Sequence, residues 1–86
     1  MKEFTYTVQD PLGIHARPAG LLAKLAKRYA DTAITITKGE KTVKATQLMM
    51  LMGLAVKNGD TVTVKADGAS EADAIAAMEQ FFQENL

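Results

Sequence analysis

Residues 34–44 read ITITKGEKTVK, and this segment decides the fold class. Ile34 and Ile36 alternate with threonines, which is the period-two pattern of a strand with one apolar face. Residues 38–40 are typical of a tight turn, and residues 41–44 read as a short partner strand. The segment therefore predicts a β-hairpin that turns one face toward a core and the other toward water.

The same alternation recurs on both sides of this hairpin. Residues 4–8 and residues 62–66 each alternate apolar side chains with polar ones, and most of the polar ones are threonine. Residues 58–60, Asn-Gly-Asp, are typical of a turn and precede the second of these segments. Strands with this pattern lie in a sheet that is packed on one face and solvated on the other.

The apolar period changes to that of a helix over residues 16–30. Pro18 is tolerated only in the first turn of a helix, so this helix must begin near Ala16 or Arg17. The residues that repeat at helical spacing, and so predict the buried face, are Ala19, Leu22, Ala23, Ala26 and Ala30.

Two further segments predict helices. Residues 47–55 contain no β-branched residue and are rich in Leu and Met, so we predict a short helix with Thr46 as its N-cap. Ser70 and Asp73 have a spacing that resembles a capping box and open a last helix. The predicted face of that helix consists of Ala72, Ile75, Ala76 and Phe82, flanked by Met78.

The predicted order of elements is therefore β-α-β-β-α-β-α, in a single domain over residues 1–86. The helices must cover one face of the sheet, because their apolar stripes require burial. The fold class is α+β, a two-layer sandwich with an antiparallel sheet.

Composition narrows the possible functions. Ten Lys and Arg balance ten Asp and Glu, whereas a nucleic-acid binder normally carries a basic excess, so we expect no nucleic-acid partner. The absence of cysteine and the single histidine exclude disulfides, thiolate metal sites and His-rich metal sites, so neither a metal nor a cofactor is expected. No segment has signal-peptide character, and the apolar stretch 48–56 is far short of the roughly 20 residues that span a bilayer. We expect a cytoplasmic protein with no membrane insertion.

Residues 13–18, GIHARP, carry the candidate chemistry. His15 lies where a loop meets the start of a helix, and there the unpartnered N–H groups and the helix dipole attract anions. Arg17 adds a guanidinium fork that suits phosphate oxygens, and neutral imidazole is a nucleophile near pH 7. The pattern predicts that His15 accepts a phosphoryl group held by Ala16 and Arg17. A lone histidine is also common as a surface or capping residue, and the chemistry alone leaves both interpretations open.

Residues 10–19, DPLGIHARPA, closely resemble the active-site stretch of HPr, the histidine-containing phosphocarrier family of the sugar phosphotransferase system. The chain length, the order of elements and the turn at residues 56–60 resemble that family too. The resemblance implies that Nδ1 of His15 takes phosphate from phospho-enzyme I and gives it to sugar-specific IIA domains. It also implies that Arg17 contacts the phosphate, and that four strands and three helices form an open-faced sandwich. We expect a monomer that acts as a phosphoryl carrier rather than as a stand-alone enzyme.

The apolar run at residues 48–52, LMMLM, predicts a contact surface, because only one side of a short helix can face the sheet. The alternative is that all five side chains belong to the core. The family resemblance implies that Leu48, Met49 and Met52 line the docking surface. On the first helix, Gly20 would allow close approach of a partner. Lys24 and Lys27 form either a basic rim or simply a solvated face.

Many Gram-positive relatives carry a regulatory serine on the second helix. Counting from His15 places Thr46 at that position, whereas counting back from Gly59 places Gln47 there. A gap is easier to accommodate in the loop at residues 31–33 than inside a helix, so we favour Gln47, which has no hydroxyl. Thr46 remains the alternative.

A second function from another class is a regulatory or scaffold module with the same fold that binds partners without carrying phosphate. The presence of both His15 and Arg17 favours the phosphocarrier.

Overall fold

The computed structural model describes all 86 residues and contains four strands and three helices. In chain order, the elements are β1 (Lys2–Thr7), α1 (Ala16–Lys27), β2 (Thr32–Lys38), β3 (Lys41–Lys44), α2 (Leu48–Gly53), β4 (Thr61–Gly68) and α3 (Glu71–Asn85). The predicted order and the predicted fold class, an open-faced α+β sandwich, are both confirmed.

The strands form one antiparallel sheet in the order β1-β4-β2-β3. The strand registers place like residues in rows across the sheet. The apolar row that faces the helices consists of Phe4, Val64, Ile36 and Val43. The neighbouring row, on the opposite face, consists of Thr5, Thr63, Thr37 and Thr42. The alternation in the sequence thus becomes one packed face and one solvated face.

The helices bury their apolar stripes against the packed face of the sheet. Phe82 of α3 is fully buried and packs edge-to-face on Phe4 and Tyr6, with ring centroids 5.7 Å and 5.5 Å away. Each such aromatic pair contributes about 1 kcal/mol beyond the area that it buries. Leu22 of α1 and Leu51 of α2 are fully buried in the same core.

Two predicted helix faces require correction. Helix α1 ends at Lys27, so Ala30 lies outside it and is exposed. In α3, Ala72 and Ala76 are exposed and Ile75 is only half-buried. The residues that α3 buries are Ala74, Met78 and Phe82, at i, i+4 and i+8. The prediction was wrong because alanine fits either face of a helix, and the bulky Met78 and Phe82 determine which side turns inward.

The predicted N-cap of the second helix and the predicted capping box of the third are also wrong, whereas Ser70 does open the third helix. Helix α2 begins at Leu48, and its N-cap is Gln47 rather than Thr46. Ser70 is the N-cap of α3, but its hydroxyl donates to the Asp31 carboxylate across the chain (3.0 Å) instead of capping the helix. The capping box with Asp73 is therefore absent. This contact between segments 39 residues apart is not visible in local sequence.

None of the three helices combines the length and the apolar character that crossing a bilayer requires.

Candidate functional site

The loop that carries His15 is fixed against the segment after α2. Gly13 has a φ of +67°, in the left-handed region that favours glycine. A Cβ at this position would collide with the main-chain oxygen of Val56. That same oxygen accepts a 3.0 Å hydrogen bond from the N–H of Ile14, whose side chain is buried. The loop therefore enters α1 in a defined position.

A second set of contacts fixes the start of the loop. The main-chain oxygen of Leu86 accepts hydrogen bonds from the N–H groups of Gln9 (2.6 Å) and Asp10 (2.8 Å). The Asp10 carboxylate then accepts a bond from the Leu12 N–H (2.8 Å), which closes an Asx turn. The end of α3 thus supports the loop that holds His15.

His15 is the N-cap of α1, with an extended backbone at φ −101° and ψ −174°. Its imidazole is 37% exposed and forms no hydrogen bond within the chain. The N–H groups of Ala16 and Arg17 point out of the first helical turn without an intrahelical acceptor, and no side chain caps them. Pro18 has no N–H, so it adds no further unpaired donor. An accessible nucleophile therefore lies beside two free donors at the positive end of a helix dipole.

Arg17 is exposed and forms no ion pair with any carboxylate of the chain. It lines an open cleft of about 330 Å³ together with His15. The other residues that line this cleft are Asp10, Pro18, Leu21, Glu84 and Asn85. The structure thus brings the predicted pair His15 and Arg17 together, with a guanidinium free to bind an anion.

Sequence reasoning did not single out several of these cleft residues. Glu84 and Asn85 come from the end of α3, nearly 70 residues after His15, and no local pattern indicates that they reach it. Asp10 lies within the quoted motif, but only the Asx turn shows that its carboxylate faces the histidine.

Helix α2 presents most of its apolar run to solvent. Leu51 is fully buried, whereas Met49 is 78% exposed. Leu48, Met50 and Met52 are exposed as well. The alternative in which all five side chains belong to the core is therefore wrong. An exposed patch of methionines is typical of a surface that adapts to partners.

The candidate residues of α1 lie on its outer surface. Lys24 and Lys27 are exposed, and the space around Gly20 is open, with no atom within 4 Å of a Cβ placed there. Lys24 borders a cleft with Leu21, Leu25, Arg28 and Phe81, between α1 and α3. By helix geometry, Gly20 and Lys27 then lie on the side of α1 toward α2. Lys24 lies between these two sides of the helix.

The two candidate regulatory positions lie at the start of α2. Gln47 is the exposed N-cap residue, and its side chain makes no capping bond. Thr46 is half-buried in the preceding turn, and its hydroxyl forms no hydrogen bond within the chain, contrary to the expectation that it is occupied as a cap.

Comparison with known proteins identifies the family. The protein-family model described as "PTS HPr component phosphorylation site" matches residues 2–84 of the chain. The chain belongs to the HPr family. It is 35% identical to the phosphocarrier protein HPr of Mycoplasma genitalium, over 99% of this chain and 97% of the relative. It is 41% identical to HPr of Lysinibacillus sphaericus, over 91% and 88%. The resemblance inferred from residues 10–19 is thereby confirmed.

Solved HPr structures share the fold. A histidine-containing phosphocarrier protein from Mycoplasma superposes with a TM-score of 0.93 at 36% identity, covering 96% of this chain and 93% of that one. HPr of Thermoanaerobacter tengcongensis gives a TM-score of 0.92 at 34% identity, covering 98% and 93%. Membership of the HPr family establishes the function as that of a phosphocarrier of the phosphotransferase system. The family also implies partners from that system, such as enzyme I and IIA proteins.

Some structural neighbours are dimeric. An HPr dimer from Thermoanaerobacter tengcongensis superposes with a TM-score of 0.77 at 34% identity, covering 98% of this chain and 95% of that one. The expectation that this HPr-family chain is a monomer therefore stays a prediction.

Proposed function

We propose that His15 is the phosphoacceptor of this HPr-family carrier. In this proposal, the Nδ1 atom takes the phosphoryl group from phospho-enzyme I and passes it to sugar-specific IIA domains. The carrier works as a single-domain monomer in the cytoplasm. The observation that supports the assignment best is the position of His15 at the N-cap of α1, accessible and beside unpaired N–H groups.

The site supplies charge stabilisation for a group in transit. Ala16 and Arg17 each offer a main-chain N–H, and Arg17 adds its guanidinium, so the phosphoryl oxygens meet donors that need no rearrangement. The same donors serve the incoming and the outgoing transfer. A carrier needs this symmetry, because the group must leave as easily as it arrives.

Docking is assigned to the exposed part of α2 and the facing side of α1. Leu48, Met49 and Met52 supply apolar contact area, and Gly20 allows close approach. Lys24 and Lys27 form the basic rim, which would attract an acidic partner surface. All these residues are accessible without a change in the fold.

The absence of a hydroxyl at the regulatory position is a further part of the proposal. We assign Gln47 to that position because it is the N-cap of α2, where an added phosphate would meet the helix N-terminus. Glutamine cannot accept a phosphoryl group, so this carrier would escape the serine kinase that acts on many relatives. Thr46 is the residue whose phosphorylation would contradict this assignment.

The experiment is a reconstituted relay. Enzyme I and phosphoenolpyruvate should add the mass of one phosphoryl group to the protein, and a IIA protein should then remove it. Arg17→Ala should slow the first transfer at least about tenfold, equal to about 1.4 kcal/mol of barrier. Because Arg17 is exposed, this substitution should change the free energy of unfolding by no more than about 0.5 kcal/mol. Arg28→Ala, at the other end of α1, is the matched control.

Two results would contradict the proposal. A protein that binds enzyme I but never gains mass would be a binding module rather than a carrier. Normal transfer in Arg17→Ala combined with a large loss of stability would assign Arg17 to the fold instead of to the phosphate.

A further inference from the structure

Asp10 directs its carboxylate toward His15. The Oδ1 atom lies 3.9 Å from Nε2 of the imidazole, and the Asp10 side chain is only 26% exposed. The same Oδ1 atom accepts the 2.8 Å hydrogen bond from the Leu12 N–H, so the carboxylate is held in place by the Asx turn. The main-chain N–H of Asp10 donates a hydrogen bond to the main-chain oxygen of Leu86 (2.8 Å). This fixed negative charge faces one nitrogen of the ring.

The other charged groups of the cleft do not contact the imidazole of His15. Arg17 and Glu84 line the same cleft, but neither lies within 4.0 Å of the imidazole as an ion pair or hydrogen-bond partner. The Glu84 carboxylate accepts a 3.4 Å bond from Gln80, one turn earlier on α3. Asp10 is therefore the only carboxylate that faces the ring.

We infer that Asp10 is a positioning residue that keeps the proton of His15 on Nε2, and so keeps the lone pair on Nδ1. This inference rests on the proposed role of His15. A carboxylate facing Nε2 stabilises the tautomer that carries its proton there, because that N–H dipole points toward the negative charge. Carboxylates hydrogen-bonded to a ring N–H orient histidines in sites where the other nitrogen must stay free, and Asp10 would act in the same sense by its charge, over 3.9 Å.

In the transfer step, one bond to phosphorus forms as another breaks. The Nδ1 lone pair forms the new N–P bond while the bond between phosphorus and the donor breaks, and the donor keeps the electron pair of that bond. Nε2 keeps its proton, so the ring gains positive charge as the bond forms. The Asp10 carboxylate stabilises that charge, and the reverse sequence releases the phosphoryl group to the acceptor.

The test compares Asp10→Asn with Glu84→Gln. Asparagine keeps an oxygen that accepts from the Leu12 N–H, so the Asx turn is retained while the charge is removed. Glu84→Gln removes a charge from the same cleft without touching the ring. We expect Asp10→Asn to slow phosphorylation by enzyme I about fivefold, and to slow it more than Glu84→Gln does. We also expect ¹⁵N NMR of neutral His15 to show a smaller Nε2–H fraction in Asp10→Asn only.

The tautomer measurement needs no phosphoryl donor, so it separates this inference from the proposed function. If unmodified protein holds neutral His15 mainly in the Nδ1–H form, the inference is wrong, whatever the variants do. It is equally wrong if Asp10→Asn matches unmodified protein in both the tautomer and the transfer rate. A failure of the proposed function looks different, because then neither unmodified protein nor Glu84→Gln would gain the mass of a phosphoryl group.

Discussion

Replacing Gly13 by alanine should damage both the fold and the phosphate site. Two costs add at this position. An alanine held at a φ of +67° costs about 1–2 kcal/mol. Its Cβ would also press on the main-chain oxygen of Val56, and forcing such an overlap apart costs about 1–3 kcal/mol. We therefore expect the free energy of unfolding to fall by about 2–5 kcal/mol, part of it from the Ile14 to Val56 hydrogen bond.

A matched control separates these two costs. Gly39 has nearly the same φ, +60°, but no atom lies within 4 Å of a Cβ placed there. Gly39→Ala should therefore cost only about 1–2 kcal/mol. Urea unfolding at equilibrium measures both variants. Gly13→Ala should lower the free energy of unfolding by at least about 1 kcal/mol more than Gly39→Ala does, because about 1 kcal/mol is the lower end of the overlap cost. Equal losses would show that the close approach of Gly13 to Val56 is not a real constraint on the loop.

Three further predictions concern the surface and the α2 region. Met49→Asp should weaken binding to enzyme I measured by calorimetry while leaving the melting temperature nearly unchanged, because the side chain is 78% exposed; unfolding would assign Met49 to the core. The N–H of Lys57 and the ammonium of Lys38 hold the pKa of Asp60 below its ordinary value near 3.8. The stability that this carboxylate contributes is thus present at neutral pH and lost as the pH falls through the lowered pKa. Asp60→Asn should accordingly melt lower than unmodified protein at pH 7, with a gap that closes under strong acid; a gap independent of pH would refute the assignment. Incubation with a serine kinase and ATP should leave no acid-stable phosphate at the start of α2, and a stoichiometric adduct there would overturn the assignment of Gln47.

The strands were predictable because their pattern has one solution. Alternating apolar residues and threonines allow only one set of side chains to face inward, and a shift by one residue would bury the threonines. The sheet registers confirm this, since Ile36 pairs with Val43 and Val64 on the packed face. Pro18 fixed the start of α1 equally well, because a proline is tolerated only in the first turn.

The caps and the face of α3 were not predictable from local sequence. Alanine satisfies either side of a helix, so the direction in which α3 turns depends on how Phe82 packs on Phe4 and Tyr6. The Ser70 hydroxyl bonds to Asp31, a partner that only the folded chain brings near. Tertiary contacts override local capping preferences at such positions.

The residues of the candidate site likewise fall into those that the sequence predicts and those that only the structure identifies. The sequence motif contains His15 and Arg17, and the structure places them together in one cleft. The contribution of Glu84 to that cleft depends on the path of α3, and the orientation of Asp10 depends on an Asx turn. The residues that we propose to carry the chemistry are therefore local in sequence, whereas Glu84, which lines the same cleft, is distant from them in sequence.

The most direct test of the central claim locates the phosphate on the protein. After incubation with enzyme I and phosphoenolpyruvate, ³¹P and ¹⁵N NMR should show one phosphoryl group bonded to Nδ1 of His15. The adduct should be labile in acid and stable in base, as a phosphoramidate is. His15→Ala should remain folded, because the side chain is accessible and makes no hydrogen bond, and it should gain no phosphate. A phosphorylated His15→Ala protein, or phosphate on a hydroxyl of unmodified protein, would contradict the account.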